Sequence, residues 1–312
     1  MTKFALVFAG QGKQAVGMMA QIAEAPVIRQ TFIEASDAIG TDLWAMVTAG
    51  SADALNLTIN TQPVMLAAGV ATYRLWLERG GRAPQFFAGH SLGEYSALVA
   101  GGAIKFSDAA ALVRFRANAM QDAVPEGVGA IAVVLGLDAD AVRKVCLEAA
   151  GDEVVEAVNL NSPEQIVIAG NRAPVERAMV LAKAQGAKRA MLLPMSVPSH
   201  CALMKPAAAR LADYLKTIPI TAPSVPVIQN ADVTCFQSAE QIRQALVEQL
   251  FRPVRWIETI RHMKSAGVHT VVECVPGKVL TGLNKRIEAS LACLDVSDMA
   301  TLDAAIAATA HA

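Results

Sequence analysis

Phe86–Ala100 reads FFAGHSLGEYSALVA, and this stretch decides the fold. Its centre, Gly89-His90-Ser91-Leu92-Gly93, spells G-x-S-x-G. A short apolar run, Gln85–Ala88, leads in, and a helix-competent run, Glu94–Ala100, leads out. Strand, tight turn and helix is the context in which this motif marks a nucleophile: the turn is strained and the serine hydroxyl stands exposed above a sheet edge. Glycines at 89 and 93 let strand and helix approach closely around Ser91.

The chain around this elbow has 312 residues, room for one large domain or two moderate ones. Hydrophobic residues make up 54% and mean hydropathy is +0.37, so a large core is available. With 18% charged residues and a net charge of −1, nothing favours nucleic acid or an anionic membrane as partner over the whole surface. The five cysteines are scattered and form no C-x-x-C, which fits neither a disulfide framework nor a zinc site and suggests a reducing compartment. The apolar run Phe4–Ala9 is too short for a signal-peptide core, and no stretch is long enough to span a bilayer. The expectation is a cytoplasmic protein.

Upstream of the elbow, Lys3–Phe8 reads as a buried strand running into Gly10-Gln11-Gly12. Gly10, Gly12 and Ala15 match the dinucleotide fingerprint G-x-G-x-x-A, with Glu34 at roughly the right distance. The fingerprint wants that acid at the end of a second strand, whereas Arg29–Ile39 looks helical. The other reading is a glycine loop whose backbone N–H groups are free to bind an anion. Leu43–Ala49 and Thr61–Arg79 read as helices, Pro63 falling in the first turn of the latter.

Downstream, Ser107–Val124 is expected to be a helix with Ser107 as N-cap. Its apolar stripe contains Leu112, Phe115, Ala119, Met120 and Ala123, and Arg116 falls inside that stripe. A core-facing guanidinium needs an anion, either a structural acid or a substrate carboxylate held bidentately. Arg114 points to the opposite, solvated side. From Gly127 to Ser196 the pattern is βαββαβ, the ferredoxin-like arrangement, with Asp138 and Asn171 as helix caps and Gly151 and Gly186 as stops. It reads as a subdomain, 127–196, inserted into a catalytic domain made of 1–126 and 197–312. The fold class is therefore α/β, with a mainly parallel core sheet.

After the insert, Ser196-Val197-Pro198-Ser199-His200-Cys201 places His200 on a loop, because the prolines force extended geometry. Cys201 reads as packing. Ala239–Leu250 is a helix whose stripe is interrupted by Gln249, Val268–Cys274 a strand, Val279–Ile287 a helix, and Asp298–Ala312 an alanine-rich helix that frays. A serine hydroxyl needs a base. His90 adjoins Ser91 and points away along the elbow, while His262, His269 and His311 lie in ordinary contexts, which leaves His200. No Asp or Glu occurs between Ala187 and Ala212, so a distant acid or a carbonyl would orient the imidazole. Leu92 and the Gly10–Gly12 loop are the sources of backbone oxyanion donors.

Eight segments in order along the chain then resemble the malonyl-CoA:acyl carrier protein transacylases of type II fatty acid synthesis: FAGQGKQ (Phe8–Gln14), TQP (Thr61–Pro63), GHSLGEYSAL (Gly89–Leu98), Arg116 in LVRFRANAM, NSPEQIVIAG (Asn161–Gly170), VPSHCALMKPA (Val197–Ala207), QLFRPVRW (Gln249–Trp256) and PGKVLTGL (Pro276–Leu283). The resemblance implies an α/β-hydrolase-like core with a ferredoxin-like subdomain. It implies Ser91 as the malonylated nucleophile, His200 as its base, the backbone carbonyl of Gln249 as orienter of that histidine, Arg116 as clamp of the malonyl carboxylate, and Gln11 and Leu92 as oxyanion donors. Malonyl-CoA and acyl carrier protein are the implied partners of a monomer. No cofactor or metal is implied, CoA and phosphopantetheine entering as parts of substrates. Ala9 stands where the family commonly has proline, Lys13 where it has serine, and Val275 where it has glycine. Leu92 and Ser199 resemble the malonyl-selective pattern; methylmalonyl-selective relatives carry glutamine and phenylalanine there. Lys188, Arg189, Lys278 and Arg286 are candidates for meeting an acidic carrier protein. Competing readings are a serine esterase or thioesterase, a non-catalytic dinucleotide-binding protein, and a polyketide trans-acyltransferase of the same family.

Overall fold

The computed structural model describes residues 3–12, 14–194, 197–274 and 277–310. The departures at Lys13 and Val275, and His311, lie outside the described residues. Strand β1 (Lys3–Phe8) is buried from Phe4 onward, as a central parallel strand must be. Helices α1 (Pro26–Ile39), α2 (Leu43–Ala49), α3 (Ala52–Asn56) and α4 (Thr58–Glu78) follow before β2 (Phe86–Gly89). The elbow leads into α5 (Gly93–Ala100) and α6 (Phe106–Ala123). The chain then forms β3 (Gly129–Leu135), α7 (Ala139–Ala150), β4 (Val155–Ser162), β5 (Gln165–Asn171), α8 (Arg172–Ala184) and β6 (Arg189–Leu192). It returns through α9 (Lys205–Leu215), β7 (Val227–Ile228), α10 (Ala239–Gln249), α11 (Trp256–Ser265), β8 (Val268–Glu273), α12 (Val279–Ile287), β9 (Ala292–Asp295) and α13 (Met299–Ala310).

Two sheets result. The first runs β7-β2-β1-β8-β9 with every pairing parallel. The second runs β4-β5-β3-β6 with every pairing antiparallel, and α7 and α8 pack against each other beside it. This is the α/β class expected, and the elements of the βαββαβ block occur in the expected sequence. The sheets are tied where β4 meets the segment before α11: Leu160 N donates to Val254 O at 3.0 Å and Val254 N to Val158 O at 2.8 Å. Trp76, Trp256, Tyr95, Phe8, Phe32 and Phe87 are the bulkiest apolar side chains in the core.

Several local expectations need correction. Helix α4 begins at Thr58, so Pro63 lies inside it rather than in its first turn. The earlier start is secured by side chains that cap α3 onto α4, Asn60 Nδ2 donating to Ala54 O and Thr61 Oγ1 to Leu55 O. Ser107 is not the cap of α6, which starts one residue earlier behind Lys105. Asn171 precedes α8 without capping it, because its Oδ1 is taken by the N–H of Val154. Asp138 does cap α7, accepting from Ala141 N at 2.8 Å. Helix α11, helix α3 and the short edge strand β9 were not anticipated from the sequence; α3 and β9 are five and four residues long, too short for periodicity to register.

Candidate active site

The parallel strands β1, β2 and β7 end at one edge, where open α/β sheets place their ligand crevices. The Gly10–Gly12 loop follows β1, Ser91 follows β2, and Asn230 follows β7. A cavity of about 270 Å³ opens there, walled on the other side by Ile131, Val133, Val158 and Val167 of the antiparallel sheet. The elbow is as tight as its glycines require. A Cβ at Gly89 would overlap the Gly93 carbonyl, and a Cβ at Gly93 would overlap the Phe8 carbonyl. Ser91 itself sits at φ 52°, in the left-handed region disfavoured for a residue with a Cβ.

Ser91 Oγ lies 2.7 Å from His200 Nε2. His200 Nδ1 lies 2.7 Å from the backbone oxygen of Gln249. A carbonyl can only accept, so Nδ1 carries the proton and Nε2 is left as the acceptor for the serine hydroxyl. His200 is 1% exposed, and burial, followed by the charge on Arg116, lowers its pKa to about 3. The ring is thus neutral and ready to take a proton.

Arg116 is also 1% exposed. Its Nη1 donates to Gln62 Oε1 at 2.7 Å and its Nη2 to Gln249 Oε1 at 3.0 Å. Nη2 also lies 3.5 Å from Ser91 Oγ, long for a hydrogen bond, and the guanidinium carbon sits 5.4 Å from the Tyr95 ring centroid. Among the described residues, no carboxylate forms an ion pair with it. Glu94 is wholly buried and bears electrostatically on Arg116; its pKa is raised to about 8 by desolvation against the opposing pull of Asn230, Gln249 and Arg116. Glu94 is therefore mostly neutral near pH 7, and the guanidinium keeps a net positive charge facing the serine. A buried cation held by two neutral amides is costly unless an anion arrives.

Gln249 joins these parts. Its backbone oxygen orients His200, its Oε1 holds Arg116, and its Nε2 donates to Ser91 O at 3.0 Å. Gln11 lines the cavity, its side chain accepting from Thr58 Oγ1 at 2.9 Å. Leu92 adopts helical φ/ψ immediately before α5. Among the described residues no acceptor engages the N–H of Gln11 or of Leu92.

The His90 side chain makes no hydrogen bond to Ser91 Oγ among the described residues: its Nε2 lies 2.7 Å from Asn161 Oδ1, its ring is 5.5 Å from that of Trp256, and it lines the cavity wall. Cys201 is packing, fully buried, with its thiol pushed up to about 12 by burial. Arg114 is not simply solvated; its Nε and Nη2 are buried without a partner among the described residues. Glu34 lies on α1 in an ion pair with Arg74 at 2.6 Å, not at a strand end, so the dinucleotide fingerprint lacks its acid. No cluster of metal-ligating side chains occurs among the described residues, and no helix there is long and apolar enough to cross a membrane. Gln62, Glu94 and Asn230 were not singled out from the sequence. Asn230 carried one usable signal, a polar residue at the carboxyl end of a strand.

The chain is similar to known proteins along nearly its whole length. The family model for the acyl transferase domain matches residues 5–304. The chain is 53% identical over 307 residues to the malonyl CoA-acyl carrier protein transacylase of Escherichia coli strain K12, covering 98% of this chain and 99% of that one. It superposes with a TM-score of 0.97 at 53% identity, covering 99% and 100% of the two chains, on a malonyl-transacylase solved in complex with its type II PKS acyl-carrier protein. It superposes with a TM-score of 0.95 at 53% identity, covering 97% and 100%, on an acyl carrier protein S-malonyltransferase from Vibrio cholerae. The chain belongs to the acyl transferase family, within its malonyl CoA-acyl carrier protein transacylases.

Proposed function

We propose that the chain transfers malonyl from malonyl-CoA to the phosphopantetheine thiol of acyl carrier protein through a malonyl-serine intermediate, supplying chain elongation in fatty acid synthesis. The observation that carries the reading is a buried cation with no carboxylate ion pair among the described residues, set beside a serine within reach of a histidine: Arg116 Nη2 is 3.5 Å from the same Ser91 Oγ that lies 2.7 Å from His200 Nε2. A neutral acyl group would need no such clamp, which sets an esterase or thioesterase aside.

The malonyl carboxylate docks on Arg116. Ser91 Oγ attacks the thioester carbonyl while its proton passes to His200 Nε2, the Gln249 carbonyl holding Nδ1–H. The tetrahedral oxyanion sits on the Gln11 and Leu92 amides, each such donor being worth about 3 kcal/mol. As the C–S bond breaks, His200 returns the proton to the departing CoA thiolate. The carrier's thiol then repeats the sequence in reverse: it gives its proton to His200, attacks the acyl-serine, and Ser91 Oγ leaves protonated. No resident cofactor takes part. The chain acts as a monomer in the cytoplasm, a compartment in keeping with five free cysteines. Residues 127–196 form the inserted subdomain, and 1–126 with 197–312 the catalytic domain.

Intact-protein mass spectrometry after mixing with malonyl-CoA tests the reading. One malonyl adduct is expected on Ser91, discharged by the carrier protein and absent in Ser91→Ala; an adduct that persists in that variant sinks the assignment.

A further inference from the structure

We infer that Asn230 is a positioning residue for the nucleophile, holding Ser91 in the left-handed conformation that aims its hydroxyl at His200. The inference rests on Ser91 being the acylated residue. A non-glycine residue at φ 52° costs about 1–2 kcal/mol, so surrounding contacts must impose it. The sheet cannot do so, because β2 ends at Gly89, and α5 begins only at Gly93. The Asn230 amide spans the gap. Its Oδ1 accepts from Ser91 N at 2.7 Å and its Nδ2 donates to Gly89 O at 2.6 Å. One planar group thus satisfies the peptide units on both sides of His90.

Asn230 is itself immobilised. It is 1% exposed, its backbone N–H donates to Glu94 Oε2 at 2.7 Å, and its carbonyl accepts from Arg255 N at 3.1 Å. Gln249 holds the other end of the same serine through Ser91 O. The bridge also gives β7 a purpose. That strand has only two residues, Val227 and Ile228, paired with Phe87 and Ala88, and it delivers Asn230 to the elbow two positions further on. An alanine there would leave Ser91 N–H and Gly89 C=O without partners. An ionised aspartate would set an acceptor against the Gly89 oxygen, whereas a neutral carboxylic acid can accept and donate as the amide does.

The test measures the acylation step with malonyl-CoA by quenched-flow mass spectrometry in the full chain, on samples verified as folded by circular dichroism. Asn230→Ala should lower the acylation rate constant about 100-fold, the typical cost of a misplaced reacting group. KM for malonyl-CoA should change little, since Arg116 is untouched. Asn230→Asp should be as slow as Asn230→Ala at pH 8 and recover as pH falls toward 5, while the unmutated chain stays flat. The groups bearing on that titration are Glu94 and Asp232, which favour the protonated form, Arg116, Arg252 and Arg255, which oppose it, and His90 and His200 beside the elbow, both held toward the neutral form by burial. A folded Asn230→Ala with unchanged acylation, or an Asn230→Asp with no recovery at lower pH, overturns the inference. If Asn230→Ala does not fold, the Asn230→Asp profile decides alone. Adducts surviving in Ser91→Ala would overturn the nucleophile assignment and this inference with it.

Discussion

Replacing Arg116 by alanine separates a substrate clamp from a structural arginine. The side chain donates to Gln62 and Gln249, faces Ser91, and has no carboxylate partner among the described residues. Under the proposed function, that charge is what the malonyl carboxylate meets. Removing one partner of a buried, hydrogen-bonded charge pair costs about 3–5 kcal/mol. At about 1.4 kcal/mol per tenfold, acylation by malonyl-CoA should fall in kcat/KM by about two to four orders of magnitude. Acetyl-CoA has no carboxylate to lose, so its kcat/KM should hold or rise and the malonyl preference should collapse. Arg116→Lys should fall between, because an ammonium cannot engage both amides and a carboxylate in one plane. Single-turnover acylation with each thioester, followed by intact mass, measures the ratio. An unchanged malonyl-to-acetyl ratio in Arg116→Ala would refute the reasoning and make the residue a packing element.

The pH dependence follows from His200, whose pKa is lowered to about 3 by burial and by Arg116. A base is competent above its pKa, so kcat/KM for acylation should stay level as pH falls from 8 to 5 and decline only nearer the lowered value; a limb centred near 6.5, the ordinary histidine value, would count against it. Glu94 bears on stability instead. Its folded pKa of about 8 exceeds the ordinary 4.5, so its contribution is complete below 4.5 and is lost as pH rises toward 8. Glu94→Gln should therefore gain stability relative to the unmutated chain with rising pH, by up to about 1.4 kcal/mol per unit. Urea unfolding at pH 5 and pH 8 reads the difference, and equal differences at both would contradict a neutral buried Glu94.

What could be read along the chain was what leaves a local trace. Phe86–Ala100 shows strand, turn and helix within fifteen letters because the elbow's steric demands fall on Gly89 and Gly93 themselves. Arg116 stood out because a charge broke a helical stripe, and the ferredoxin-like block because its elements alternate in period. The missing acid near His200 was legible too, as an absence between Ala187 and Ala212. A carbonyl was one of two answers open to that absence, but which residue supplies it was not legible apart from the family resemblance. A backbone carbonyl orients the imidazole, and any residue at 249 owns one. Likewise Gln62, Glu94 and Asn230 look unremarkable in their own segments. Their partners lie on other elements, and only the docking of α4, α5, α6, α10 and β7 brings those donors and acceptors within 3 Å of each other. The ionisation states belong to the same level. His200 is neutral and Arg116's neighbour Glu94 is mostly uncharged because water is excluded from both, and exclusion of water is a property of the packed fold, not of the letters that specify it.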